Sequence, residues 1–116
     1  MNRQEAERFG RWGEWRAAWW LRLQGWRILD SRVKLRMGEI DLVARRGRTT
    51  AFIEVKTRAT AEALDLAIDE YRLRRVAAAV TAVSHRYARA NDAIRIDIIL
   101  IAPRAWPRHL VNVWHG

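Results

Sequence analysis

At 116 residues, half of them hydrophobic and none of them cysteine, the chain suits one globular core, is short for two domains, and excludes disulfide staples and thiolate metal sites. Its 22 Lys plus Arg against 13 Asp plus Glu leave a net charge of +9, the sign expected of a protein that meets a polyanion. No stretch approaches the ~20 apolar residues of a membrane span. Glu5, Glu7 and Glu14 among the first arginines do not fit a secretory leader or transit peptide, so a cytoplasmic protein with no membrane partner is expected.

Residues 3–24 carry a helical pattern of strong helix formers without proline, ended by Gly25. Phe9, Trp12, Trp19, Trp20 and Leu23 mark one apolar face. A second line, Glu14, Ala17, Ala18 and Leu21, holds the small residues best able to approach a sheet. Residues 26–33, 38–44 and 50–56 are three predicted strands. The last two are joined by Arg45-Arg46-Gly47-Arg48, where Gly47 can take positive φ and the arginines form an exposed basic finger. Residues 62–89 are predicted as one helix on the spacing of Leu64, Ile68, Tyr71, Val76, Val80, Val83 and Tyr87. Ala93 to Ala102 then has the two-sided apolarity of a strand covered on both faces, and His109 to Trp114 is a candidate short strand. The order is α-β-β-β-α-β with a further C-terminal element, in a single domain spanning 1–116.

Chemistry concentrates in Gly38-Glu39-Ile40-Asp41-Leu42-Val43-Ala44 and Phe52-Ile53-Glu54-Val55-Lys56. Alternation sends Glu54 and Lys56 to one side of their strand, about 6.6 Å apart, with Ile53 and Val55 on the other. Antiparallel pairing through the turn delivers Asp41 beside Glu54, giving two carboxylates and an ammonium in one volume. Such a group can hold Mg²⁺ or Mn²⁺, which prefer oxygen ligands and need only one or two carboxylates besides water and phosphate. The Val55 carbonyl offers a third oxygen.

A Glu-x-Lys on a hairpin is ordinarily a solvated surface pair of small worth. Three features favour a metal site here: Asp41 in the neighbouring strand, Phe52 on the same face, and the lysine itself. Among 20 arginines and two lysines, a plain need for positive charge would place arginine at 56, whereas a lysine has a pKa that burial and a metal can lower. Glu14 is either an exposed helix residue paired with nearby arginines or a further acid of the site. Glu39 is a weaker candidate, and Asp97 is expected to be structural. The tryptophans at helical spacing are expected to pack, and the histidines have no ligand spacing.

Gly10, Gly13-Glu14, Ala17, Leu21, Gly25-Trp26, the Gly-Glu-Ile-Asp-Leu-Val-Ala run from Gly38, Phe-Ile-Glu-Val-Lys-Thr-Arg from Phe52, and Arg95-Ile96-Asp97 together resemble the bacterial YraN-like family of small uncharacterised proteins. That family looks like a branch of the PD-(D/E)XK nuclease-like superfamily and is similar in arrangement to archaeal Holliday junction resolvases. The resemblance implies an α/β, restriction-endonuclease-like mixed sheet flanked by helices, with the active site at the acid-bearing hairpin. By position, Asp41 matches the metal-binding aspartate, Glu54 the second acid, Lys56 the lysine and Glu14 the first-helix acid. The chain departs from the pattern in having Ile96 where phenylalanine is more typical, and Tyr71 and Arg72 where lysine or glutamine is frequent.

The functional expectation is a Mg²⁺- or Mn²⁺-dependent endonuclease acting on DNA in preference to RNA. Arg45, Arg46, Arg48, Arg58, Arg72 and Arg75 are its candidate phosphate contacts, and a homodimer face is available on the first helix. The alternative is a non-catalytic nucleic-acid-binding module on the same scaffold, recognisable by steep salt dependence without metal-dependent turnover.

Overall fold

The computed structural model, which describes residues 1–64 and 69–115, places one long helix before three strands, as the sequence patterns predict. Helix α1 (Arg3–Leu23) is capped by Asn2, whose side chain accepts the Glu5 N–H at 2.8 Å. It ends where the Gly25 N–H bonds the Arg22 carbonyl and the Trp26 N–H bonds the Leu21 carbonyl. That pair of bonds is a Schellman motif, sealed by apolar contact between buried Leu21 and Trp26. Strands β1 (Arg27–Lys34), β2 (Glu39–Arg46) and β3 (Thr49–Thr57) follow as an antiparallel meander. Helices α2 (Ala61–Leu64) and α3 (Glu70–Val83) lead through a 3₁₀ turn at Ser84–Arg86 to β4 (Ala93–Ile101), and β5 (Arg108–Leu110) closes the order.

The sheet runs β1-β2-β3-β4-β5, with β4 parallel to β3 and every other pair antiparallel. A parallel neighbour needs a crossover, and the segment containing α3 supplies it. Alternation then divides the core in two. Phe52, Ile96, Ile98 and Leu100 pack with Leu73, Val76, Ala79, Val80 and Val83 of α3. Ala51, Ile53, Val55, Ile99 and Ile101 pack with Ala17, Ala18 and Leu21 of α1. Each fully buried aliphatic side chain contributes about 1.5–3 kcal/mol. No helix among the described residues is long and apolar enough to cross a membrane.

Three expectations are corrected. The helix predicted over 62–89 is divided: Asp69, in extended conformation, accepts the Tyr71 N–H and starts a new helix, while Tyr87 lies beyond the 3₁₀ turn and bonds Asp30. Ile68 falls outside the described residues. On α1 the stripe of small residues wins over the tryptophans: Gly13, Ala17, Ala18 and Leu21 are buried, whereas Trp19 and Leu23 are exposed. Ile94 is also exposed, since β4 becomes covered on both faces only from Ile96.

Two glycines set how closely the helices approach the sheet. A Cβ on Gly13 would lie 1.9 Å from the Thr57 hydroxyl oxygen, and one on Gly38 would lie 1.9 Å from the Arg75 carbonyl oxygen. The first obstacle is one side chain, whose hydroxyl can turn although its Cβ also lies at 2.9 Å; the second is helix backbone and cannot turn aside. Gly38→Ala is therefore expected to destabilise the protein by about 1–3 kcal/mol, and more than Gly13→Ala, in urea unfolding. Equal midpoints for Gly38→Ala and wild type would contradict the close approach of α3 to β2.

Candidate functional site

The site forms where β2 and β3 part. Their ladder extends from Arg46↔Thr49 to Leu42↔Ile53, and the next rung would set Asp41 opposite Glu54. Two like charges directly opposite disfavour that rung. Asp41 instead turns its carboxylate onto the backbone, and Oδ2 accepts the Val55 N–H at 2.7 Å. Level with Asp41 on the other side, Arg32 takes φ +54, between the pairs Ser31↔Leu42 and Val33↔Ile40.

Glu54 is 1% exposed, on the α3 side of the sheet with Phe52. Its Oε1 is ion-paired with Lys56 Nζ at 3.1 Å and accepts from Arg72 Nη2 and Nε at 2.9 and 3.3 Å. Its Oε2 is buried without a hydrogen-bond partner. Arg72 also donates from Nη1 to Glu39 Oε1 at 2.6 Å. Glu14, on α1, faces Arg32 at 3.5 Å. Asp41, Glu54, Val55, Lys56, Glu14, Arg58 and Arg72 all line one cavity of about 520 Å³. A second cavity of about 150 Å³ shares Glu14, Asp41 and Arg72 and adds Arg32, Lys34 and Glu39.

This crowding perturbs the acids. Burial pushes the Asp41 carboxyl up to about 7, with the Glu54 charge acting in the same direction; the Val55 N–H and Arg72 oppose without prevailing. Burial also raises Glu14, against the pull of Arg32. For Arg72, burial disfavours the cation, but hydrogen bonds and charge from Glu54 and Glu39 outweigh it and hold the guanidinium protonated.

The six candidate arginines separate. Arg58 and Arg72 border the main cavity, and half-buried Arg75 lies one turn beyond Arg72 on α3. Arg46 and Arg48 are exposed at the hairpin tip, and Thr49, opposite Arg46, is five residues or about 16 Å along β3 from Glu54. Arg46 stacks over Trp26 at 4.7 Å. Arg45, expected in an exposed finger, is instead buried against Asp92 at 2.8 Å and donates to the Tyr87 carbonyl. Asp97 is fully buried and accepts from Arg95, His109 and the Asn112 N–H, which ties the C-terminal segment to β4. Sequence reasoning missed Arg32 and Lys34 beside the acids, and the pairing of Arg72 with Glu39 and Glu54. Gly38 was the available signal, because a glycine heading β2 marks where α3 comes down upon it.

Fold and cluster define an α/β protein with a five-stranded mixed sheet, a helix packed on each face, and a carboxylate and cation group opening into a cavity at the point where two strands separate. The chain belongs to the uncharacterised protein family UPF0102, whose sequence profile matches residues 13–101; this is the YraN-like family anticipated from the motifs. It is 64% identical over 114 residues to the UPF0102 protein of Sphingopyxis alaskensis, covering 98% of each chain. It is 63% identical over 117 residues to that of Rhizorhabdus wittichii, covering 100% of this chain and 99% of the relative. The UPF0102 protein of Maricaulis maris is 46% identical over 113 residues, which cover 97% of this chain and 89% of that one.

The raised Asp41 gives a pH-dependent stability. In the folded protein the carboxyl keeps its proton to about 7, while in the unfolded chain it loses it near 4, so the folded state binds more protons between these values. Its contribution is present in full below about pH 4 and lost as pH rises through about 7. Asp41→Asn, which can still accept the Val55 N–H, is expected to be more stable than wild type by about 1–3 kcal/mol at about pH 8, with the gap closing toward about pH 4. Urea unfolding across this range checks it; a gap independent of pH would refute the assignment.

Proposed function

We propose that the protein is a metal-dependent nuclease of the PD-(D/E)XK type, hydrolysing phosphodiester bonds in DNA with Mg²⁺ or Mn²⁺. One observation carries the reading: a buried glutamate with an unpartnered oxygen, Glu54, lines the same cavity as Asp41 and Lys56. An orphaned carboxylate oxygen is costly in a core, and a cation is its natural complement.

Among the described residues no three or more His, Cys, Asp or Glu side chains form a group able to hold a metal ion by themselves. Mg²⁺ does not require one, because it keeps several waters and binds through one or two carboxylates with substrate phosphate. Asp41 and Glu54 fit that demand, with the Val55 carbonyl as a further oxygen and Glu14 as acceptor for a water at the cavity wall. When bound, the ion would acidify a water and withdraw charge from the phosphoryl oxygens.

The chain's own groups do the remainder. Lys56 is paired with Glu54 and lines the same cavity, where it would orient the attacking water or neutralise charge building on the phosphate. Arg58 and Arg72 border the same space and suit the phosphates. The net +9 attracts the polyanion, and exposed Arg46 and Arg48 extend the positive surface away from the cavity.

The test is a panel of labelled duplex, single-stranded, flap and four-way-junction substrates with Mg²⁺ or Mn²⁺ and a chelator control. Metal-dependent cleavage is expected, with Glu54→Ala and Lys56→Ala each lowering the rate by at least about 10²-fold while circular dichroism stays unchanged. Cleavage retained in both variants would refute the assignment of this site. Steeply salt-dependent binding without metal-dependent product would identify the binding module instead.

A further inference from the structure

Arg72 is the unexpected member of the cluster. Its guanidinium spans two carboxylates, and with Lys56 it places two cations on Glu54 Oε1 while Oε2 has no hydrogen-bond partner. Packing brings α3 there: the Arg75 carbonyl, one turn on, rests against Gly38 so tightly that a methyl group would not fit. The Arg72 side chain is 31% exposed and lines both cavities, which offer space beside the carboxylates.

Resting on the metal-dependent reading above, we propose that Arg72 is a resident counter-ion of the Asp41 and Glu54 cluster that competes with the divalent cation for it. The argument is electrostatic. An arginine does not vacate a site by losing its proton, so a metal approaching Glu54 meets a full positive charge at hydrogen-bonding distance from the carboxylate. Binding then requires either that the two cations repel at close range or that Arg72 swings into a cavity. Linkage makes the penalty reciprocal: whatever the metal costs Arg72, Arg72 costs the metal. A phosphate offers the guanidinium an equally good bidentate partner, so substrate would free the carboxylates for the ion.

Mn²⁺ affinity is measured by calorimetry at about pH 8, above the Asp41 transition, on wild type, Arg72→Gln and Arg72→Lys. Glutamine keeps a hydrogen-bond donor and removes the charge; lysine keeps the charge. Arg72→Gln is expected to bind Mn²⁺ about tenfold or more tightly than wild type, and Arg72→Lys to stay within about threefold of it. Circular dichroism checks the fold, and if the glutamine variant does not fold, Arg72→Met carries the same comparison. Measurable binding that is equal or weaker in the uncharged variant overturns the counter-ion and leaves the metal site standing. Absence of Mn²⁺ binding in every protein overturns the metal reading itself.

Discussion

The bond from the Val55 N–H to the Asp41 carboxylate is the constraint on which the rest of the site depends. In an uninterrupted hairpin, that donor would look to the backbone of β2, and Asp41 and Glu54 would stand opposite each other at about 5 Å. Supplying the acceptor from a side chain satisfies the N–H and frees β2 to leave β3. The gap becomes a cavity reached from both α1 and α3. Arg32, in the left-handed region at the same level of β1, costs about 1–2 kcal/mol and carries the disturbance one strand further.

Energetics separate this cluster from an ordinary ion pair. A solvated Glu-x-Lys pair is worth about 0–1 kcal/mol and costs the fold nothing. Glu54 at 1% exposure has given up its hydration, a penalty of several kcal/mol. Its charged hydrogen bonding to Arg72 returns about 1.5–3 kcal/mol, the ion pair with Lys56 adds to that, and Oε2 accepts no hydrogen bond. Asp41 adds to the deficit whenever it ionises, as its upward shift to about 7 records. A fold selected for stability alone would place an apolar side chain at residue 54, so stability does not account for the cluster.

What could be foreseen follows the range of the forces involved. The strands were legible because alternation is a local signal, and β4 was the clearest because Ile98 to Ile101 is apolar on both sides and buried on both sides. The pairing of β2 with β3 was also local, since a short turn fixes register. Helix α1 offered two faces, and periodicity could not choose between them. Close packing favoured the small residues, because Gly13 against Thr57 leaves no space for an indole. The break between α2 and α3 was hidden by continuous apolar spacing, although Asp69 is an apt cap. Partnerships of Arg45 with Asp92, or of Arg72 with Glu39, join residues far apart in sequence and leave no periodic trace.

Three aspartates around the central strands show how the same residue type takes opposite roles. Asp92 accepts from the Arg89 N–H and the Thr50 hydroxyl and faces Arg45; the backbone bond is the chief cause of its lowered pKa, so the anion is stabilised where it stands. Asp97 is wholly buried yet surrounded by Arg95, His109 and the Asn112 N–H, with both oxygens engaged. Both are explained by the structure they fasten. Asp41 faces another carboxylate across a cavity, and the one backbone donor it holds leaves its pKa raised. The fold leaves an Asp41 charge uncompensated, so burial and the neighbouring Glu54 charge hold its carboxyl up at about 7, whereas donors fasten the other two aspartates.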